Sequence, residues 1–408
     1  MRKYPDWLPW ILLVSLLGLL FLLGYANYRF SLHSPGGNDF LARWSGAYHW
    51  IVKGVNPYSQ EVSLSTQEMI YGRPANIEAG EDIAHFVYPL PAMIFFAPFG
   101  LFPYPIARAL WMTILEIGLP LLAFLSLKIA KWRPPKWLVG FFLIFSIVWY
   151  PGARSIIVGQ FAVIEAILLA GAVLAVQDKK DILGGILLGL SISKPQMSYL
   201  LVTYIFIWSL SAKRWKLLIS IIGSIFGLMA GSILLIPNWP LRWMWQVLEY
   251  PEYTTYGSPI SIITNILPRG GNKVALAISA LFTVYLVWEW IQSFGKSEHS
   301  FSWTAAMTLV ITNLISFRTA TTNYVVMLPA LTLVFKTIED RWKKKGRIFT
   351  LVILVSLLIG NWLLFLFTIE GNQEHPSVYL PLPILSFITL LWMRSWVTRQ
   401  THFFEEKF

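Results

Sequence analysis

The residues of this chain that could do chemistry are few, and they stand at the ends of apolar runs. Asp39 opens "NDFLARWSGAYHWIVK", a lone carboxylate at the start of an amphipathic stretch. Three cations follow it: Arg154 in "YPGARSIIVGQ", Lys194 in "LGLSISKPQ" and Arg318 in "ISFRTATTNY". Each lies beside a Gly, Pro or Thr break. A carboxylate within hydrogen-bond reach of a hydroxyl can act as a general base. Arginine holds phosphate with a planar fork and lysine as a point charge, so three such cations brought together would suit a phosphate. His85, Tyr88 and Gln160 lie near the same boundaries, with Glu165 about a turn deeper.

Each residue also has a plain structural reading. Asp is a favoured N-cap and suits the positive end of a helix dipole, so Asp39 could do no more than start a helix. A single Arg or Lys at the end of an apolar run can snorkel to a lipid phosphate. Spacing alone does not decide between cap and base.

Composition indicates where these residues must work. The 408 residues are 56% hydrophobic and 13% charged, with 20 Trp and 27 Phe, a balance that belongs to an all-α, polytopic membrane bundle. The net charge of +11 does not point to nucleic acid, because Lys and Arg gather in short runs between apolar segments. Absence of Cys excludes disulfides and thiol chemistry. The run Leu8–Leu23 reads as a retained span rather than a signal peptide. Apolar segments recur near 8–23, 87–101, 104–127, 137–151, 161–177, 182–193, 195–210, 217–236, 273–294, 301–315, 323–335, 348–369 and 378–393.

The basic runs "KIAKWRPPK", "AKRWK" and "KTIEDRWKKKGR" should be cytoplasmic, together with both termini. The acid-rich loop 30–86 and the loop 237–272 should then lie outside. This topology gives about 12 spans (11–13) in one domain over 1–408, with 87–101 shallow or re-entrant. It also places Arg154, Lys194 and Arg318 on the outer face, against the usual bias of basic residues. In the first outer loop Phe40, Leu41, Trp44, Ala47, Tyr48, Ile51 and Val52 form one stripe, with Arg43, His49 and Lys53 off it. The spacing predicts an interfacial helix over 39–53 whose apolar face lies on the bilayer, ended by "KGVNPY".

No Walker loop, HExxH, Cys/His cluster or Asp-x-Asp pair occurs, so no metal site is expected. The glycines of "GGILLGL" suit tight helix packing. The Trp- and Tyr-dense segment 238–259 reads as an interfacial belt, although aromatic faces could also line a groove.

In order, "NDF", "GVNPY", "FVYPLP…APFGLFP…ARALW", "GQFAVIEAILLAG", "GGILLGLSISKPQ" and "FRTATTNYVVMLPAL" resemble glycosyltransferase family 87 of the GT-C superfamily, polyprenyl-phosphate-mannose-dependent mannosyltransferases of bacterial membranes. The likeness runs from about residue 38 to 331. It departs from the family at "YPLP", where "YPP" is usual, and at Asn38, where GT-C loops often carry a second acid. The resemblance implies a helical bundle with an extracytoplasmic active site in the cell membrane, and a polyprenyl-phosphate-sugar donor. It further implies a glycolipid or glycan acceptor, inversion at the sugar, and Asp39 as base. The lipid-linked sugar would be a substrate, with no cofactor. Arg154, Lys194 and Arg318 would then meet the donor phosphate, and His85, Tyr88 and Gln160 would contact sugar or phosphate. The competing readings are a flippase of lipid-linked sugars, which needs the cations but no base, and a non-catalytic envelope-assembly protein.

Overall fold

The computed structural model describes residues 5, 7–34, 36–253, 257–267, 269–296, 298–316, 318–371 and 374–398. The chain begins with α1 (Leu8–His33), a helix whose apolar residues are largely exposed, as they would be against lipid. It packs on α5 (Tyr104–Ile129), where Asn27 Nδ2 donates to Thr113 Oγ1 at 3.0 Å and to Glu116 Oε2 at 2.8 Å. Between them come α2 (Asn38–Lys53), α3 (Gln60–Tyr71) and a hook in which α4 (Met93–Phe96) sits between 3₁₀ turns at Leu90–Ala92 and Ala97–Leu101. The hook agrees with a shallow segment rather than a span, because its prolines keep breaking the helix.

After α5 the apolar stretch 136–158 is a bent pair, α6 (Lys136–Val148) and α7 (Tyr150–Val158), at 46°. The bend falls at Trp149, whose backbone is extended, with Pro151 starting the second helix, a position proline tolerates because the missing N–H has no partner there. Next come α8 (Ala162–Gln177), α9 (Asp181–Leu190), α10 (Pro195–Ser211) and α11 (Trp215–Leu235). In "GGILLGL" the expected close packing is found. A Cβ on Gly185 would come within 2.5 Å of Ser220 Cβ, and Ser224 Oγ donates to the Gly185 carbonyl at 2.9 Å. The α9 backbone therefore lies against α11 with no room for side chains between them.

The remainder is α12 (Trp239–Tyr253), α13 (Pro259–Thr264), α14 (Gly271–Ser293), α15 (Glu298–Ile315), α16 (Leu328–Thr368) and α17 (Pro381–Thr398). The long α16 is two helices, broken at Lys343 (φ 50°, ψ −122°). The chain folds back there, since a Cβ on Gly346 would sit 2.5 Å from the Ile338 carbonyl oxygen. The basic run "KTIEDRWKKKGR" thus forms the turn between two apolar segments, as its charge suggested.

Among the described residues, six helices are long and apolar enough to cross a membrane, seven with the bent pair counted as one. The other apolar segments of the expected twelve spans are present as shorter or broken helices. Several of these, α8 above all, are enclosed by neighbouring helices, where short or irregular segments are tolerated.

Helix α2 corrects one expectation. The first part of its apolar stripe faces protein: Phe40, Leu41, Trp44 and Ala47 are buried, and so is His49, expected off the stripe, whereas Tyr48 is half-buried and Ile51 and Val52 are exposed. Phe40 stacks on Trp111 of α5 with ring centres 5.0 Å apart and meets Phe99 of the hook edge-on at 5.9 Å. Gly159 (φ +71°), which ends α7, lies so close that a Cβ there would be 2.5 Å from Phe40 Cβ. Gly159→Ala combines a strained backbone with a clash one residue from Asp39. It should lower stability by roughly 1–3 kcal/mol, read as a drop in thermal midpoint of the protein in lipid nanodiscs; an unchanged midpoint would show that α2 and α7 are not packed this way.

Candidate active site

Asp39 lies in the first turn of α2, but it does not cap it. The N-cap is Gly37, in the left-handed conformation (φ +72°), with no side-chain cap bond. Two residues of α5 hold this turn: Tyr104 OH donates to the Gly36 carbonyl at 2.5 Å and Arg108 Nη1 to the Ser34 carbonyl at 2.5 Å. The Asp39 carboxylate is thereby turned toward the bundle, where Gln160 Nε2 donates to its Oδ2 at 3.2 Å.

Gln160 is the crossing point of the site. Its Oε1 accepts from Lys194 Nζ at 2.8 Å and from Tyr88 OH at 3.2 Å. Lys194, 2% exposed, sits in the break between α9 and α10 and also donates to Asn323 Oδ1 at 2.8 Å. A buried ammonium needs such partners, since leaving a charged group unpaired in an apolar interior is costly. Tyr88 lies beneath the Arg43 guanidinium, 4.7 Å from ring centre to Cζ. Glu165 lies within α8, fully buried, and neither of its carboxylate oxygens has a hydrogen-bond partner among the described residues.

These groups border a cleft of about 570 Å³, into which Asp39, Tyr88, Arg154, Gln160, Lys194 and Arg318 all project. Six of the seven residues singled out from the sequence therefore meet in one place. His85 does not. It is turned away, with Nδ1 2.5 Å from Ser63 Oγ and Nε2 3.3 Å from Glu249 Oε2, and burial lowers its pKa more than Glu249 raises it. Phe317, of the "FRTATTNY" motif, lies outside the described residues.

Among the lining residues that escaped the sequence reading as site members are Arg43, Asp82, Asn323 and Glu374. Arg43 had been placed only as the polar side of a helix. Burial works against its charge, but Tyr88 and the carboxylates Asp39 and Asp82 outweigh it, so its pKa stands above the ordinary value. Burial raises the pKa of Asp82, partly offset by the Ala84 N–H and Arg43. Glu374 belongs to a loop with no motif, and it pairs with Arg154, Nε to Oε1 at 2.9 Å. Arg43, Arg154, Lys194 and Arg318 face three carboxylates, Asp39, Asp82 and Glu374, so the cleft is net cationic.

The aromatic segment 238–259 divides its residues between two faces. Leu241, Met244, Trp245 and Leu248 are exposed, while Trp243 and Tyr250 line the cleft. Burial and the Asp39 carboxylate push the Tyr250 pKa up to about 12. Gln246 Oε1 and Trp243 Nε1 bind the Val87 backbone at 3.0 and 3.1 Å, which fixes the turn that presents Tyr88.

Chemically, the cleft offers one carboxylate on a rigid helix, a cationic wall able to hold an anion, and aromatic faces suited to a sugar ring. Gln160→Leu would leave Lys194 with one fewer partner and should cost about 1–3 kcal/mol, seen as a lower thermal midpoint. Equal midpoints would mean that Gln160 does not bridge these groups.

No curated protein and no solved structure matches the chain. Residues 86–262 match the family model of glycosyltransferase family 87, a stretch that includes Tyr88, Arg154, Gln160 and Lys194 but neither Asp39 nor Arg318. That stretch of the helical, multi-pass chain is thus similar to glycosyltransferase family 87.

Proposed function

We propose that the chain moves a mannosyl unit from a polyprenyl-phosphate donor to a hydroxyl of an extracytoplasmic glycolipid or glycan acceptor, with inversion at the sugar. The observation that carries this reading is the meeting, in one cleft, of the Asp39 carboxylate with the cations Arg154, Lys194 and Arg318. In the scheme, Asp39 takes the proton of the acceptor hydroxyl as its oxygen attacks C1 of the donor from the face opposite the phosphate. The C1–O bond to phosphate breaks, and polyprenyl phosphate departs with the bonding pair. Negative charge grows on its oxygens as positive charge grows on the sugar ring. The cations meet that charge where it develops, which is where preorganised electrostatics accelerates a reaction most. They take the part a divalent metal plays where the leaving group is a nucleotide diphosphate.

Gln160 couples the two halves of this scheme, because one amide touches both the base and a phosphate-binding cation. The site would open at the extracytoplasmic face of the cell membrane, with both termini in the cytoplasm. At that depth an amphipathic donor and acceptor can both reach it.

Protein in lipid, given a short-chain polyprenyl-phosphate-mannose and a membrane glycolipid extract, should release polyprenyl phosphate and label glycolipid. Asp39→Asn should lower the rate about 10²–10⁴-fold, the usual worth of a positioned general base. Equal transfer by both proteins would remove Asp39 from the chemistry. Failure of both to transfer, with lipid crossing between leaflets, would favour a flippase.

A further inference from the structure

The loop between α16 and α17 carries no motif, yet its Glu374 is among the most densely hydrogen-bonded side chains of the cleft. The carboxylate is 9% exposed and accepts from Arg154 Nε at 2.9 Å, Tyr150 OH at 2.7 Å and Thr321 Oγ1 at 2.9 Å. These partners come from the two ends of the site, the start of α7 and the 3₁₀ turn Thr321–Met327. A carboxylate in a cleft built for an anion would repel the ligand, so its place there needs a reason other than binding. The reason lies in which nitrogen it takes. Glu374 engages only Nε, and no other hydrogen bond from Arg154 occurs among the described residues. Both Nη groups therefore stay without a hydrogen-bond partner among the described residues, on a side chain that lines the cleft, and with Nε tied and the Phe365 ring 5.8 Å from Cζ the guanidinium plane cannot swing freely. A fork grips phosphate through two parallel N–H groups only when its plane is aimed.

Building on the donor proposed above, we propose that Glu374 is a positioning residue: it fixes Arg154 through Nε so that both Nη groups face the leaving phosphate. Its effect passes wholly through Arg154. Tyr150 and Thr321 hold the carboxylate in turn, which ties the last outer loop to the site.

The test is binding of a short-chain polyprenyl phosphate to the full chain in nanodiscs, for wild type, Glu374→Ala, Glu374→Gln, Arg154→Ala and the Glu374→Ala/Arg154→Ala double variant. Glu374→Ala should weaken binding about 10- to 100-fold, the cost seen when a group that orients a metal ligand is lost. Glu374→Gln keeps an acceptor oxygen for Nε and should stay within about twofold of wild type, and the double variant within about twofold of Arg154→Ala alone. Losses that multiply in the double variant, or a Gln variant as weak as Ala, would give Glu374 a separate structural or electrostatic role and overturn the proposal. If Glu374→Ala does not fold, Glu374→Asp replaces it. That change keeps the charge but withdraws the oxygens by one methylene, so Asp should bind more weakly than Gln, and the reverse order overturns the proposal. Wild type that binds no polyprenyl phosphate would overturn both the donor and this role, whereas an additive cycle in a protein that binds would overturn this role alone.

Discussion

A buried ammonium has to be satisfied, and much of this bundle is arranged around that requirement. Lys194 is 2% exposed, at a break between two apolar helices. Its partners, Gln160 and Asn323, come from the break after α7 and from the 3₁₀ turn that leads into α16. Neither amide could reach it if these segments were continuous helices. The same breaks that interrupt the apolar runs thus converge on one charge, and Gln160 carries the connection onward to Asp39 and Tyr88.

The geometry of Asp39 depends on α5, a helix that contributes no group to the cleft. Its Tyr104 and Arg108 bind the backbone just before α2, while Trp111 Nε1 donates to the Gly159 carbonyl at 2.9 Å. One helix therefore sets the positions of both Asp39 and Gln160, through contacts made on one side with the entry to α2 and on the other with the exit from α7. Phe40, stacked on Trp111 and packed against Gly159, fills the space between. Stacking of this kind is worth about 0.5–1.5 kcal/mol beyond burial, and it holds Asp39 one residue away from a fully packed anchor.

The electrostatics of the cleft are mixed rather than simply positive. Arg43 and Asp82 both line it and each favours the other's charge, and Arg154 is tied to Glu374. Such pairing limits the cost of gathering four cations in a partly dry site. It also directs the cations, because a guanidinium held at one nitrogen presents the others in a set direction. This suits the donor proposed above, anionic at one end and a neutral sugar at the other.

By itself the sequence determined the class of the molecule and much of the inventory of its site. Apolar runs separated by basic clusters can be satisfied only by a helical membrane bundle, and a charge at the end of an apolar run stands out because burying it is expensive. For that reason Asp39, Arg154, Gln160, Lys194 and Arg318 could be named from their neighbours in the chain. Tertiary structure alone decided what local periodicity cannot encode. The stripe of α2 is amphipathic whether lipid or protein covers it, and only the packing of α5 and the hook shows that protein covers its first part, while Ile51 and Val52 stay exposed. Asp39 looks like a cap until Gly37 takes that position and turns the carboxylate inward. His85 has the right residue type and surroundings, yet Ser63 and Glu249 hold it away from the cleft. Glu374 sits more than 200 residues from Arg154 in a loop without pattern, and its importance exists only in the hydrogen bonds that the fold allows it to make.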